Sequence, residues 1–203
     1  MRRTFRHILL LTALGAACSF SFATEAVSPR IQEIAEQRCG ACHGPSGQGA
    51  NARYPKLSGQ NLEYLVQQMF NFKSGARKSI IMSPQLADLT GGELTQLAQH
   101  FASQRLVPDM TTDKALIEAG RSIFLQGNPA SKVTACAVCH GTAARGAQML
   151  PRLAGQHAEY LETQLRSYIE RSRTADQATM HSVAAKLTHP EIHAVSYFLS
   201  GLD

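Results

Sequence analysis

The chain has 203 residues, with 20 Lys or Arg against 15 Asp or Glu, which gives a formal net charge of +5. Three of the basic residues are arginines within the first six positions, so the rest of the chain carries only 17 − 15 = +2. The remaining basic residues are dispersed rather than clustered with aromatic side chains, which argues against a nucleic-acid-binding protein.

Residues 1–23 have the pattern of a secretory signal peptide that is removed from the mature protein. The positive start is followed by a short apolar run over residues 8–17, and Ser21-Phe22-Ala23 matches a small-x-small cleavage site. The start also bears a faint likeness to a twin-arginine signal. The apolar run is too short to span a bilayer. We therefore predict an exported chain that begins near Thr24.

The first predicted helix begins at Ser28-Pro29, because Pro is favoured at the first position of a helix. Its apolar face is formed by Ile31, Ile34 and Ala35. The helix runs into Cys39, where the most informative stretch of the sequence begins.

That stretch is Cys39-Gly40-Ala41-Cys42-His43, and a second copy is Cys136-Ala137-Val138-Cys139-His140. Both read C-x-x-C-H, the attachment signature of a c-type haem. Two intervening residues let both sulfurs add across the vinyl groups of one porphyrin, and the adjacent His becomes a ligand of the iron. The sequence therefore predicts two covalent haem c groups. The attaching residues are Cys39, Cys42, Cys136 and Cys139, and the iron ligands are His43 and His140.

An internal repeat surrounds the two motifs. The first is followed by Pro55-Lys56-Leu57-Ser58-Gly59-Gln60, and the second by Pro151-Arg152-Leu153-Ala154-Gly155-Gln156. The offset is 97 residues at the first cysteines and 96 at the prolines. Such a long period predicts two domains rather than stacked short units. We place the N-terminal domain at residues 24–107, a linker at 108–112 and the C-terminal domain at 113–203.

These features resemble the dihaem cytochrome c4 family, in which two class I cytochrome c domains are fused. The resemblance rests on both C-x-x-C-H motifs, both P-x-L-x-G-Q segments and a late Met in each repeat, and it covers the chain after the leader. It implies an all-α fold of two tandem class I cytochrome c-like domains, each with one covalently bound haem. It also implies that Gly120 lets the first and last helices of the second domain cross closely.

Periodic apolar residues predict the remaining helices. In the first repeat they are Leu62, Leu65, Val66, Met69 and Phe70, then Leu94, Leu97 and Phe101. In the second they are Leu116, Ala119, Gly120, Ile123 and Phe124, then Ala158, Leu161, Leu165, Tyr168 and Ile169, then Ile192, Val195 and Leu199. Thr90 to Glu93 and Thr188 to Glu191 are predicted capping boxes. Either Thr112 or Asp113 caps the first helix of the second repeat, and Gly59-Gln60 and Gly155-Gln156 are predicted to begin the middle helices.

The sixth iron ligands are predicted from the repeat. Met82 and Met180 are 98 residues apart, and each lies in an irregular stretch before a capping box. They also match the family's axial Met positions. Met69 is better explained by core packing, while Met110 and Met149 have no equivalent Met. His181, beside Met180, is the rival ligand.

The other histidines without a counterpart are predicted to be surface or cap residues. They are His100, His157, His189 and His193. Pro55 and Pro151 are predicted to offer a carbonyl to the Nδ1 proton of the axial His, a role that the resemblance also implies.

Two other uses of the cysteines are disfavoured. A shared zinc site normally has its cysteine pairs separated by a short loop, and no βαβ pattern surrounds either motif as in a thioredoxin-like protein. The fifth cysteine, Cys18, lies in the apolar run and is predicted to be lost with the leader, with a lipidated N-terminus as the alternative.

The resemblance implies an electron carrier rather than an enzyme, located in the periplasm and carrying electrons in a respiratory chain, often to a terminal oxidase. Two six-coordinate irons leave no open position for a substrate. Its partners are then redox proteins such as a membrane oxidase or reductase complex, with peripheral membrane association by docking possible. The alternatives are a dihaem peroxidase or another dihaem oxidoreductase with one labile ligand, and a haem gas sensor.

Overall fold

The computed structural model describes residues 27–174 and 178–203, so the predicted signal peptide and Cys18 lie outside the described residues. Within these ranges the regular structure is helical, and the only β-type pairs are two isolated bridges, Asn128 with Val133 and Ala147 with Leu150. The predicted all-α fold is confirmed.

The first repeat contains five α-helices. They are α1 (Pro29–Glu33), α2 (Gly40–His43), α3 (Leu62–Ser74), α4 (Met82–Leu86) and α5 (Gly91–Ala102), and a π-helical segment, Ile34–Cys39, joins α1 to α2. The predicted start of α1 is correct, since the Ser28 hydroxyl accepts a hydrogen bond from the Ile31 N–H. The first helix therefore delivers the chain directly into the motif.

The second repeat contains α6 (Lys114–Gln126), α7 (Ala137–His140), α8 (Ala158–Ile169), α9 (Thr179–Ala184) and α10 (His189–Ser200). Asp113 rather than Thr112 caps α6, because its carboxylate accepts hydrogen bonds from the N–H groups of Ala115 and Leu116 at 2.9 and 3.0 Å. In contrast to the first repeat, an irregular segment separates α6 from its motif.

Both predicted capping boxes are present. Thr90 accepts from the Glu93 N–H while the Glu93 carboxylate accepts from the Thr90 N–H, and Thr188 and Glu191 do the same. Each box satisfies backbone donors at the start of the last helix of its repeat, α5 or α10, which fixes where that helix begins.

The apolar side chains form two separate clusters, one in each repeat. In the first, α1, α3 and α5 surround Ile31, Leu94 and Leu97, which are almost fully buried. In the second, α6, α8 and α10 surround Phe124 and Ile192. The predicted faces are correct with the exceptions of Phe70, which is 41% exposed, and Ala119, which is also exposed.

Gly120 allows a close crossing of α6 over α10. A Cβ added at Gly120 would overlap the carbonyl oxygen of Ala194 and would lie 2.6 Å from the Cβ of Phe198. Backbone atoms of α10 therefore occupy the space that any other side chain would need. The first repeat has no such glycine, and its shorter α1 packs against α5, with Ile31 in the apolar cluster that the two helices share.

The segment between the repeats is held in place by both of them. The Asp109 N–H donates to the Ser200 carbonyl at 2.9 Å, and the Asp109 carboxylate contacts Lys56 Nζ at 2.7 Å and His157 Nδ1 at 3.0 Å. Lys56 belongs to the first repeat and His157 to the second. His157 was predicted as a surface or cap residue. It does occupy the cap position of α8, but its side chain is largely buried because it pairs with Asp109.

We expect Gly120→Ala to lower the free energy of unfolding by about 1–3 kcal/mol, because overpacking forces α6 and α10 apart. Urea unfolding of the haem-loaded protein measures this. Gly92→Ala in α5 is the control, since a Cβ there meets nothing within 4 Å. Equal losses of stability in the two variants would show that the crossing does not depend on Gly120.

Candidate haem sites

Each C-x-x-C-H motif ends in a one-turn helix, α2 or α7, that a glycine terminates. Gly44 and Gly141 follow the two histidines with φ of +76° and +75°, a conformation that favours glycine. The chain then turns back beneath its own motif. As a result the segments beginning at Pro55 and Pro151 lie beside the histidine rings.

The two histidines of the motifs are buried and equivalently held. His43 and His140 are only 6% and 7% exposed, and their Nδ1 atoms lie 2.9 Å from the Pro55 carbonyl oxygen and 3.2 Å from that of Pro151. Burial lowers the pKa of each imidazole more than the hydrogen bond to the proline carbonyl raises it. Each ring is therefore a neutral imidazole whose Nδ1 is occupied, which leaves Nε2 for a metal.

One continuous cavity of about 1490 Å³ connects the two motifs. It exceeds the roughly 300–1,000 Å³ of ordinary ligand pockets. All the predicted site residues line it, and these are Cys39, Cys42, His43, Met82, Cys136, Cys139, His140 and Met180. The repeat thus brings together, from both halves of the chain, the side chains that are predicted to hold two haem groups.

The two predicted methionine ligands lie at the starts of equivalent short helices. Met82 opens α4, where its N–H donates to Ser79 Oγ at 3.0 Å, and Met180 is the second residue of α9. Met110 is 94% exposed outside the cavity and Met149 is 63% exposed at it. Met69 lines the cavity and packs on the first core cluster, as Met82 does. The positions in the repeat, rather than burial or packing, therefore favour Met82 and Met180, whose role stays a prediction.

The rival ligand His181 is engaged elsewhere. Its Nδ1 lies 2.9 Å from the Tyr168 carbonyl oxygen, and its Nε2 lies 3.1 Å from an Nη atom of Arg171. His189 and His193 make exposed contacts with Arg166 and Glu162. The protein thus occupies both nitrogens of His181 without a metal.

Two of the four motif cysteines do not have the character of redox thiols. Burial raises the pKa of Cys39 and of Cys136 to about 11, whereas a reactive C-x-x-C thiol has a lowered pKa. Within residues 27–174 and 178–203, no three His, Cys, Asp or Glu side chains are close enough together to hold a metal ion. The four cysteines therefore do not form one shared site, and attachment to two separate groups is the chemistry that the geometry favours.

A buried polar network that the sequence does not predict lies where the two repeats meet. Arg77 donates to Gln68, Tyr160 and Gln164 at 2.8, 3.1 and 2.7 Å, so it bonds residues of both repeats. Arg173 donates to Gln164, Tyr64 and Gln68 at 2.7, 2.8 and 3.2 Å. The repeat offset signals this network, because its residues occupy equivalent positions in the two repeats. Each equivalent pair is separated by 96 positions, and the pairs are Arg77 with Arg173, Tyr64 with Tyr160 and Gln68 with Gln164.

This network makes the cavity electropositive. Arg77 and Arg173 are 8% and 7% exposed, and among the described residues neither has a carboxylate within 4 Å. Burial raises the pKa of the Tyr160 hydroxyl, but the charges of the two arginines outweigh it and the pKa is lowered. Because buried cations are costly without a counter-charge, the site suits an anionic group, as the propionates of a haem are.

The predicted start of the two middle helices is wrong. Gln60 and Gln156 do not begin the middle helices, which start at Leu62 and Ala158. Both side chains instead bond the backbone of the opposite repeat.

In the described part of the chain, no helix is both long and apolar enough to cross a bilayer.

Comparison with known proteins matches the chain twice to the cytochrome c family model, over residues 29–99 and 117–203. Cytochrome c4 of Azotobacter vinelandii is 38% identical over 177 residues, covering 81% of this chain and 84% of that protein. The thiosulfate dehydrogenase electron acceptor of Thiomonas intermedia is 34% identical over 203 residues, covering 96% and 90%. The crystal structure of reduced cytochrome c4 from Pseudomonas stutzeri aligns with a TM-score of 0.80 and 33% identity, covering 88% of this chain and all of that one.

We expect Arg77→Gln to lower the reduction potential of the haem-loaded protein, because loss of a buried positive charge favours the ferric state. A unit charge about 10 Å away contributes about 1–2 kcal/mol at an effective dielectric constant of about 20. Potentiometric titration measures the shift. Arg53→Gln removes an arginine that is 82% exposed and ion-paired with Glu159, so it is the control. Equal shifts in both variants would contradict a special role for the buried network.

Proposed function

The chain belongs to the cytochrome c family and carries two covalently bound haem c groups, and on that premise we propose that it is a periplasmic electron carrier of a respiratory chain that delivers electrons to a terminal oxidase. The observation that supports this most is the single cavity lined by two equivalent sets of residues. When bound, haem iron supplies a one-electron ferric–ferrous couple. Along the chain, the proposed order is a leader, an N-terminal domain over residues 24–107, a linker over 108–112 and a C-terminal domain over 113–203.

The proposed attachment and ligation are the same in both halves. Cys39 and Cys42 hold the first haem, with His43 and Met82 as ligands of its iron. Cys136, Cys139, His140 and Met180 do the same for the second. The buried imidazoles, their proline carbonyl acceptors and the position of both methionines on the cavity wall support this set.

The protein's own residues keep substrate chemistry out of the site. With Met82 and Met180 equivalent in position, both irons would be six-coordinate, and neither would offer the open position that a peroxidase or gas sensor requires. A buried His held at Nδ1 and a packed methionine also change little between redox states. We therefore propose an electron carrier rather than an enzyme.

The partners are redox proteins that approach the cavity from outside. Ile80 and Ile81, directly before Met82, are 94% and 54% exposed, and Ile81 lines the cavity. Exposed apolar side chains at a haem site suit brief docking, including docking to a membrane complex.

A second candidate role concerns the electron donor. Two relatives are named as the electron acceptor of thiosulfate dehydrogenase, and the one from Thiomonas intermedia matches 96% of this chain. A thiosulfate-oxidising enzyme is therefore a candidate donor. Rapid reduction of this protein by such an enzyme, followed in the visible spectrum, supports that role, and reduction no faster than that of an unrelated cytochrome c contradicts it.

Ligation is tested by replacing each methionine separately. Met82→Ala should make only the first haem high-spin and able to bind carbon monoxide, and Met180→Ala should affect only the second, because each removes one thioether ligand. Visible spectra of the reduced variants with carbon monoxide measure both effects. Met110→Ala, at an exposed site outside the cavity, is the control. A methionine variant whose two haems stay low-spin and closed to carbon monoxide would contradict the assigned ligand.

A further inference from the structure

Two glutamine side chains cross the interface in opposite directions. Gln156 accepts from the Lys56 N–H at 2.8 Å and donates to the Lys56 carbonyl at 2.9 Å. Gln60 accepts from the Arg152 N–H at 2.7 Å and donates to the Arg152 carbonyl at 2.9 Å. Each side-chain amide thus binds one residue of the other repeat as a neighbouring strand would. Both glutamines are nearly buried, with exposures of 4% and 7%.

The bonded residues directly follow the prolines that hold the histidines. The Pro55 carbonyl and the Lys56 N–H belong to one peptide group, and the carbonyl accepts from His43 Nδ1 while the N–H donates to Gln156. On the other side, the peptide group between Pro151 and Arg152 lies between His140 and Gln60 in the same way.

We propose that each glutamine sets the donor strength of the axial histidine in the opposite domain. Gln156 acts on His43 and Gln60 acts on His140, each through one peptide group. Both glutamines are positioning residues, since neither touches the iron. The proposal rests on the proposed ligation, in which these two histidines bind the irons.

The direction of the effect follows from polarisation of the peptide group. When a glutamine oxygen accepts from the peptide N–H, the carbonyl of the same group becomes more negative and a better acceptor, and hydrogen bonds in a chain strengthen one another in this way. A stronger bond at Nδ1 makes the imidazole more basic toward the metal. A more basic ligand favours ferric iron, so each glutamine lowers the reduction potential of the haem in the other domain.

The crossed arrangement separates this effect from simple damage to the fold. A disturbed domain would change its own haem first. Loss of the bond from Gln60 should instead change the haem of the second domain, whose Pro151–Arg152 peptide group it contacts.

The test compares Gln60→Leu and Gln156→Leu in the full-length, haem-loaded protein. A redox titration followed by NMR gives the potential of each haem separately, because each NMR signal used is assigned to one of the two domains. Gln156→Leu should raise the potential of the first haem more than that of the second, and Gln60→Leu should do the reverse. If a leucine variant does not load haem, Gln→Asn at the same position withdraws the amide and should give the same crossed shift.

Asn61→Ala is the matched control. The Asn61 amide donates to the carbonyls of Leu150 and Arg145 at 2.6 and 3.1 Å, so it also crosses the interface, but it does not contact the Pro151–Arg152 peptide group. It should leave the second potential close to that of the wild type.

The proposal is overturned if each leucine variant shifts mainly the haem of its own domain, if neither haem shifts, or if Asn61→Ala reproduces the effect of Gln60→Leu. If the proposed ligand assignment itself were wrong, the unmodified protein would lack the low-spin spectra of two His/Met haems. That outcome is distinct from a failure of the proposal about the glutamines.

Discussion

The hydrogen bond from each buried imidazole to a proline carbonyl is the contact on which the other features of the site depend. It fixes the ring of His43 or His140 against the segment that follows its motif. The same segment is tied to the last helix of its repeat, because the N–H groups of Gly59 and Gly155 donate to the carbonyls of Phe101 and Leu199. One short segment therefore links the histidine, the closing helix and, through its neighbouring glutamine, the opposite domain.

This arrangement also explains why the apolar core of each repeat is small. Each repeat has a single small apolar cluster, and domains of this size bury a limited share of their surface. A large part of the interior is instead the cavity that runs between the motifs. Residues of α3, α5, α8 and α10 line this cavity, and covalent haem groups would supply the apolar surface that these helices lack. The stability of the fold and the loading of the site are therefore coupled.

Much of this could be predicted from the sequence, because the signals are local or repeated. The motifs and the capping boxes at Thr90 and Thr188 each depend on a few residues with known stereochemistry, and the close approach at Gly120 is what the family resemblance implies. What the sequence did not predict are contacts between side chains far apart in the chain. The sequence predicts Gln60 at the start of a helix and His157 as a surface or cap residue, because the partners that bury both side chains lie in the other repeat or in the linker.

The Arg77 and Arg173 network was missed for a related reason. Neither arginine lies near a motif, and only the docking of the two repeats brings each of them to the tyrosine and glutamine of the opposite one. The shared offset of 96 residues marks these pairs, but an offset does not show which face of a domain is buried.

We propose that the interface joins the two haem sites into one electrostatic unit. The most direct measurement is a redox titration of the intact protein in which NMR exchange signals report each haem separately. We predict that the potential of either haem depends on the oxidation state of the other, so neither titration curve follows a simple one-electron Nernst equation. Two independent one-electron curves would contradict the account.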